Sequence, residues 1–205
     1  MKNKILSILP NDKHTLYEVN HSEIHIVDWK NIDNTKGVEV FDKKQKDINS
    51  IFLVNNSGLK VVIDVFGENA LPTGIGLQAE QCECIAFPAT CSLEDWVLVI
   101  ETKYANNEQS AFRIRKDDTN YPEKMVSQIV STVDYLRQKN IIDGDKYVHA
   151  IISFPNLIAD FSSILFTYVR EEWSVENLIV NKKIRIKGCN SANIISSKRL
   201  KFITE

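Results

Sequence analysis

The sequence predicts an α/β fold with a central mixed β-sheet flanked by helices, and three observations carry that expectation. "LKVVIDVF" (59–66), "CECIAF" (82–87) and "WVLVI" (96–100) are short apolar, partly β-branched runs bounded by turn formers, as strands are. "YPEKMVSQIVSTVDYLRQKN" (121–140) puts Met125, Ile129, Val133 and Leu136 on one helical stripe, with Pro122 in the first turn. "KYVHAIISFP" (146–155) is a further strand, and a helix between two strands can return the chain to a parallel position. Strands covered on both faces are continuously apolar, as "WVLVI" and "AIISF" are, so helices are expected on both faces.

The remaining elements follow in order. "SEIHIVDW" (22–29) alternates and predicts a strand or extended arm. "FDKKQKDINSIFLVNNSG" (41–58) spaces Phe41, Ile48, Ile51 and Phe52 as a helix would and ends in a cap-like Asn55-Asn56-Ser57-Gly58. "GENALPTGIGLQ" (67–78) is a loop, and its Gly74-Ile-Gly76 lacks the third glycine and the helix of a dinucleotide site. "NLIADFSSILFTYVREEW" (156–173) predicts a helix, and "KKIRIKG" with "KRLKFI" predicts a late strand pair. The expected organisation is one domain over 1–205. It has a core at 41–155, an N-terminal strand or arm at 1–40, and a C-terminal helix with a basic strand pair at 156–205.

A chain of 205 residues, 43% hydrophobic and 25% charged, reads as an ordinary soluble domain. A net charge of −2 argues against broad non-specific nucleic-acid binding. Residues 181–205 nevertheless hold seven basic side chains against Glu205 alone, so a basic end sits on an acidic body and can seat a polyanion. The opening apolar run, Ile5 to Leu9, is too short for a secretory signal, and four cysteines fit a reducing compartment. No membrane span is expected, and the predicted location is cytoplasmic. Cys82, Cys84 and Cys91 lack a zinc knuckle's spacing, and Cys82 and Cys84, on one strand face with Ala86, read as small core residues. His14, His21 and His25 show no metal spacing, and His149 reads as a core-edge residue.

The chemistry lies at the ends of two strands. Eight residues, Pro88 to Asp95, join them. Closed as a hairpin, this connection sets Phe87 across from Val97, Ile85 across from Val99 and Glu83 across from Glu101. Direct partners share a face, and Lys103, two residues beyond Glu101, shares it too. Like charges in opposition destabilise a sheet. Either Lys103 neutralises them, or a hard divalent cation does, as when Mg²⁺ is held by one or two carboxylates and a substrate phosphate.

This order of strand, acid, strand, Glu-x-Lys and helix resembles the PD-(D/E)xK nuclease superfamily over roughly residues 41–155. Glu83 in "CECIAF" stands in the place of the metal-binding acid, "WVLVIETKYA" supplies Glu101 and Lys103, and Gln128 occupies the place of a glutamine on the next helix. The first acid is glutamate where the family usually has aspartate, no Pro-Asp pair precedes it, and Glu80 is the reserve candidate. The resemblance implies a restriction-endonuclease-like αβββαβ core and hydrolysis of phosphodiesters, of DNA more than RNA, with Mg²⁺ or Mn²⁺. It implies Glu83 and Glu101 as metal ligands, Lys103 at the attacking water and Gln128 in support. Arg113, Arg115 and Lys116 in "RIRK", with Lys198 and Arg199, are the candidate phosphate contacts. The alternative is a catalytically inactive relative serving as a binding or assembly module. A homodimer or larger protein complex is compatible with both.

Overall fold

The computed structural model describes the chain except residues 34, 75, 91, 115–119, 158–160 and 204–205. Helix α1 (Lys2–Ile8) leads into strands β1 (His14–Val19), β2 (Glu23–Asp28), β3 (Val38–Phe41), β4 (Ile51–Val54) and β5 (Val61–Phe66). A short pair, β6 (Pro72–Gly74) and β7 (Leu77–Gln78), precedes β8 (Cys84–Pro88) and β9 (Leu98–Thr102). Then come α2 (Glu108–Phe112), α3 (Tyr121–Gln138), β10 (Val148–Ser153), α4 (Ser162–Leu165) and α5 (Val175–Val180). Strands β11 (Ile184–Gly188), β12 (Ser191–Ser196) and β13 (Arg199–Ile203) complete the chain.

Two mixed sheets share the molecule. The larger runs β1-β5-β8-β9-β10-β11, antiparallel as far as β9 and parallel from β9 to β11. The second runs β13-β12-β4-β2-β3. Period-two alternation sends Ile85, Val99 and Ile152 to one face of the larger sheet, where Met125, Ile129, Val133 and Leu136 of α3 meet them, all fully buried. The opposite face presents Ile63, Cys84, Leu98 and Ile100 to Ile24, Ile51 and Leu53 of the second sheet. Helix α3 begins where expected because Asn120 caps it, its side chain accepting from Glu123 N at 2.8 Å, with Pro122 in the first turn.

Four expectations are corrected. The helix expected over 41–58 is two strands, β3 and β4, separated by a polar stretch in which Asp47 takes φ 59°. Ile51 and Leu53 point into the inter-sheet core while Phe52 and Val54 stay partly exposed, and that period-two burial overrides the loose helical spacing. The second face of the central sheet is accordingly covered by strands, not helices. Residues 156–173 do not form one helix. Four-residue α4 gives way to 3-10 turns, and Val169 and Arg170 are extended. The late strands do not pair with each other. β11 joins β10 in parallel, and β13 pairs with β12, a strand whose Ser and Asn content hides the buried Ala192 and Ile194. Likewise α1 and β1 at the N-terminus have no strong periodic signal, yet β1 extends the central sheet.

Gly188 ends β11 against the chain that precedes α4. A Cβ there would lie 3.0 Å from Phe161 Cδ2 and 3.3 Å from Ser162 Cα. Gly188→Ala is therefore expected to destabilise by about 1–3 kcal/mol, read as a fall in urea midpoint, because the packed Phe161 ring and the chain at Ser162 must give way together.

Asp64 on β5 lies fully buried, 2.8 Å from His14 Nδ1 on β1, and burial pushes its carboxyl up to about 6 despite that partner. A raised folded-state value means the native chain holds this proton more tightly than the unfolded chain. The contribution is favourable below about pH 4 and is lost as pH rises towards about 6. Relative to Asp64→Asn, the wild type should lose stability across that window in thermal melts; parallel curves would contradict the assignment.

Candidate active site

The β8–β9 hairpin has the register its loop length predicts: Ile85 faces Val99 and Cys84 faces Ile100. Glu83 continues the ladder to β5, its carbonyl accepting from Phe66 N at 3.0 Å. On the β9 side its N–H donates at 3.1 Å to the O of Ile100, the partner of Cys84, so that ladder slips by one residue. The direct pairing of Glu83 with Glu101 expected from the loop length is therefore corrected by this slip, and the two acids are brought together through Lys103. Lys103 follows Glu101 on the same face, its backbone anchored by a bond to Ser153 O of β10 at 3.0 Å.

The three side chains meet. Lys103 Nζ is 2.7 Å from Glu101 Oε1 and 3.1 Å from Glu83 Oε1. Glu101 is fully buried and Glu83 is 7% exposed. The contact to Glu101 is an ion pair without hydrogen-bond geometry, and neither carboxylate oxygen of Glu101 has a hydrogen-bond partner among the described residues. Burial therefore raises the Glu101 carboxyl, Glu83 adds to the rise, and Lys103 opposes it. For Lys103 burial acts downward, but Glu101 and Glu83 outweigh it and hold the ammonium above its ordinary range. The site keeps a charged lysine between two acids.

Gln128 and Thr132, one turn apart on α3, grip the approach to Glu83. Gln128 Nε2 donates to Gln81 O at 2.8 Å, and Thr132 Oγ1 accepts from Cys82 N at 2.9 Å. Gln128 thus touches the backbone two residues before Glu83, while its Oε1 is buried with no partner among the described residues. Thr132→Val would leave the Cys82 N–H unsatisfied in the core, at a cost of about 1–3 kcal/mol. A chemical-denaturation midpoint within error of wild type would show that bond to be dispensable.

Three neighbours escaped sequence reasoning. Asp28 ends β2 almost wholly buried, its carboxyl raised by burial and then by Glu83, while Lys30 N donates to it at 3.0 Å. Lys30 Nζ comes within 3.8 Å of Glu83 Oε2. Tyr104 donates its hydroxyl to Asn49 O at 2.7 Å, and burial with Asp28 pushes the phenol up to about 12. The available signal was the one that marks Glu101: in "IHIVDW" an acid closes an apolar strand.

The phosphate contacts expected from sequence are not gathered here. Arg113 is exposed after α2, and Arg115 and Lys116 lie outside the described residues. Lys198 is paired with Glu94, and Arg199 is exposed on β13. Ser196 and Ser197 just before them accept from Trp96, at the far end of β9 from Glu101. Five residues of strand separate those ends, about 16 Å. Glu80, the reserve acid, accepts from Ser127 on α3. Cys82 and Cys84 are buried free thiols, Cys189 is buried, and Cys91 lies outside the described residues. No group of three or more His, Cys, Asp or Glu side chains is arranged for a metal among the described residues. No helix among them is long and apolar enough to cross a membrane.

No protein-family profile, curated protein or solved structure matches the chain.

Proposed function

We propose that this protein is a metal-dependent nuclease that hydrolyses phosphodiester bonds, of DNA more than RNA, at the Glu83–Glu101–Lys103 site. The observation that carries the reading is a fully buried carboxylate, Glu101, whose Oε2 has no hydrogen-bond partner among the described residues although Lys103 ties it to a second acid. The order β5, β8, β9, α3, β10 supports it further: three antiparallel strands, a crossing helix and a parallel strand, as in the PD-(D/E)xK core. The helix expected to open that core at 41–58 is replaced by strands, and α1 is the α-helix preceding β5 among the described residues.

The donor set fits Mg²⁺ or Mn²⁺, which take one or two protein carboxylates and complete their shell with water and phosphate oxygens. When bound, such an ion polarises the phosphodiester and lowers the pKa of a coordinated water. Glu83 and Glu101 would hold it, and Gln128 and Thr132 would fix the backbone that aims Glu83. Lys103, kept charged, serves as a hydrogen-bond donor to the attacking water and to the phosphate oxygens, where negative charge develops. An ammonium so held is a poor proton acceptor, so its role is positioning and charge stabilisation.

The same geometry favours a second reading, a nuclease-like fold used for binding or assembly. Lys103 contacts both acids and Lys30 approaches Glu83, so the cluster is partly neutralised without any metal ion. Incubation with labelled DNA and RNA in Mg²⁺ or Mn²⁺ separates the two. Cleavage by the wild type that disappears in folded Lys103→Ala supports the nuclease. Absence of cleavage on every substrate favours the binding module, and equal cleavage by the variant assigns it elsewhere.

A further inference from the structure

A second basic feature lies away from the paired carboxylates. Strands β11 and β13 are the edges of the two sheets, and a groove beside them is lined by His149, Phe166, Arg185, Lys187, Lys201 and Phe202. Arg185 and Lys187 alternate on β11 and therefore share a face, and both are exposed. Nearby Lys182 and Lys198 are neutralised by Asp134 and Glu94. Among the described residues no carboxylate pairs with Arg185, Lys187 or Lys201. Arg185 is instead steadied over the Tyr147 ring, 4.6 Å from its centroid. His149, in register with Arg185, buries an Nδ1 that has no hydrogen-bond partner among the described residues and meets Phe202 edge-on at 5.7 Å. Phe166, Val175 and Ile179 give the same groove an apolar wall.

Three uncompensated cations beside an apolar wall match a ligand that alternates anionic and flat apolar parts. We propose that this groove binds single-stranded nucleic acid, its phosphates on Arg185, Lys187 and Lys201 and a base against the wall that includes Phe166. An acidic peptide would satisfy the cations and leave the wall unused. The inference extends the nucleic-acid reading but does not need hydrolysis.

The test uses the full chain carrying Glu101→Gln, in EDTA, with fluorescein-labelled dT12 followed by anisotropy. Binding should weaken at least about tenfold in Arg185→Glu/Lys187→Glu/Lys201→Glu, and the slope of log affinity against log salt should fall by about 2. Lys187→Glu alone should show a smaller loss of the same kind. An abasic strand of equal charge should bind at least about fivefold more weakly, the equivalent of one lost base contact. Unchanged affinity in the triple variant, equal binding of the abasic strand, or equal competition by oligoglutamate would each overturn the proposal. Cleavage by the wild type is read separately in Mg²⁺. Groove binding without cleavage leaves this inference standing and removes the hydrolase, and cleavage without groove binding does the reverse.

Discussion

Lys103→Met is expected, on the nuclease reading proposed above, to abolish phosphodiester cleavage and to lower stability together. Loss of one preorganised charge at the reacting phosphate costs about 10²–10³ in rate. The stability effect arises from Glu101, which is fully buried and keeps no other cation within ion-pair distance among the described residues. Breaking a buried pair by removing one partner costs about 3–5 kcal/mol where the surviving group stays charged, so the full loss is expected in mildly alkaline buffer, above the raised titration of Glu101. For a chain of this length that is a fall of about 6–20 °C in Tm. The remedy is specific: acidifying the buffer protonates Glu101 and should recover part of the loss, and Lys103→Met/Glu101→Gln should recover most of it. A single variant that melts with the wild type would show that the ammonium compensates nothing.

Glu101→Gln should act with the same sign on cleavage and the opposite sign on stability. On the nuclease reading proposed above it removes a ligand oxygen, so activity should disappear. It also removes a charge whose burial outweighs its pairing, as the raised carboxyl records. Replacing such a charge by a neutral group of similar volume is often stabilising, here by about 1 kcal/mol, or about 2–4 °C. The sign follows from the raised value: a carboxyl that holds its proton more tightly when folded stabilises at low pH and loses that contribution as pH rises. The gain from Glu101→Gln should therefore be absent near pH 4, where both states are protonated, and largest in mildly alkaline buffer. A destabilised variant at pH 8 would indicate that the carboxylate is needed for folding itself.

The hairpin was legible because its determinants are local. A loop of fixed length set the register as far as Cys84 and Ile100, the pleat put Glu101 and Lys103 on one face, and the apolar run told where the strands lay; the slip at Glu83 had no signal in the sequence. Helix α3 was legible for a similar reason, since Asn120, Pro122 and the Met125–Leu136 stripe all agree. What failed depended on distant partners. Residues 41–58 carry apolar side chains compatible with either period, and only pairing of β4 with β2 and β12 makes Ile51 and Leu53 a strand's inward face. β12 is polar in sequence and is ordered by its neighbours. Asp28 belongs to the site through the packing of one sheet on the other, and no spacing along the chain relates it to Glu83. The placement of Lys198 and Arg199 far from Glu101 likewise follows from β13 joining the second sheet.

Binding of Mn²⁺ followed by electron paramagnetic resonance tests the central claim most directly. The wild type should bind the ion at the paired carboxylates, and Glu83→Gln and Glu101→Gln should each lose that binding while remaining folded by circular dichroism. Binding of equal strength in both variants, or none in the folded wild type at millimolar Mn²⁺, would contradict it.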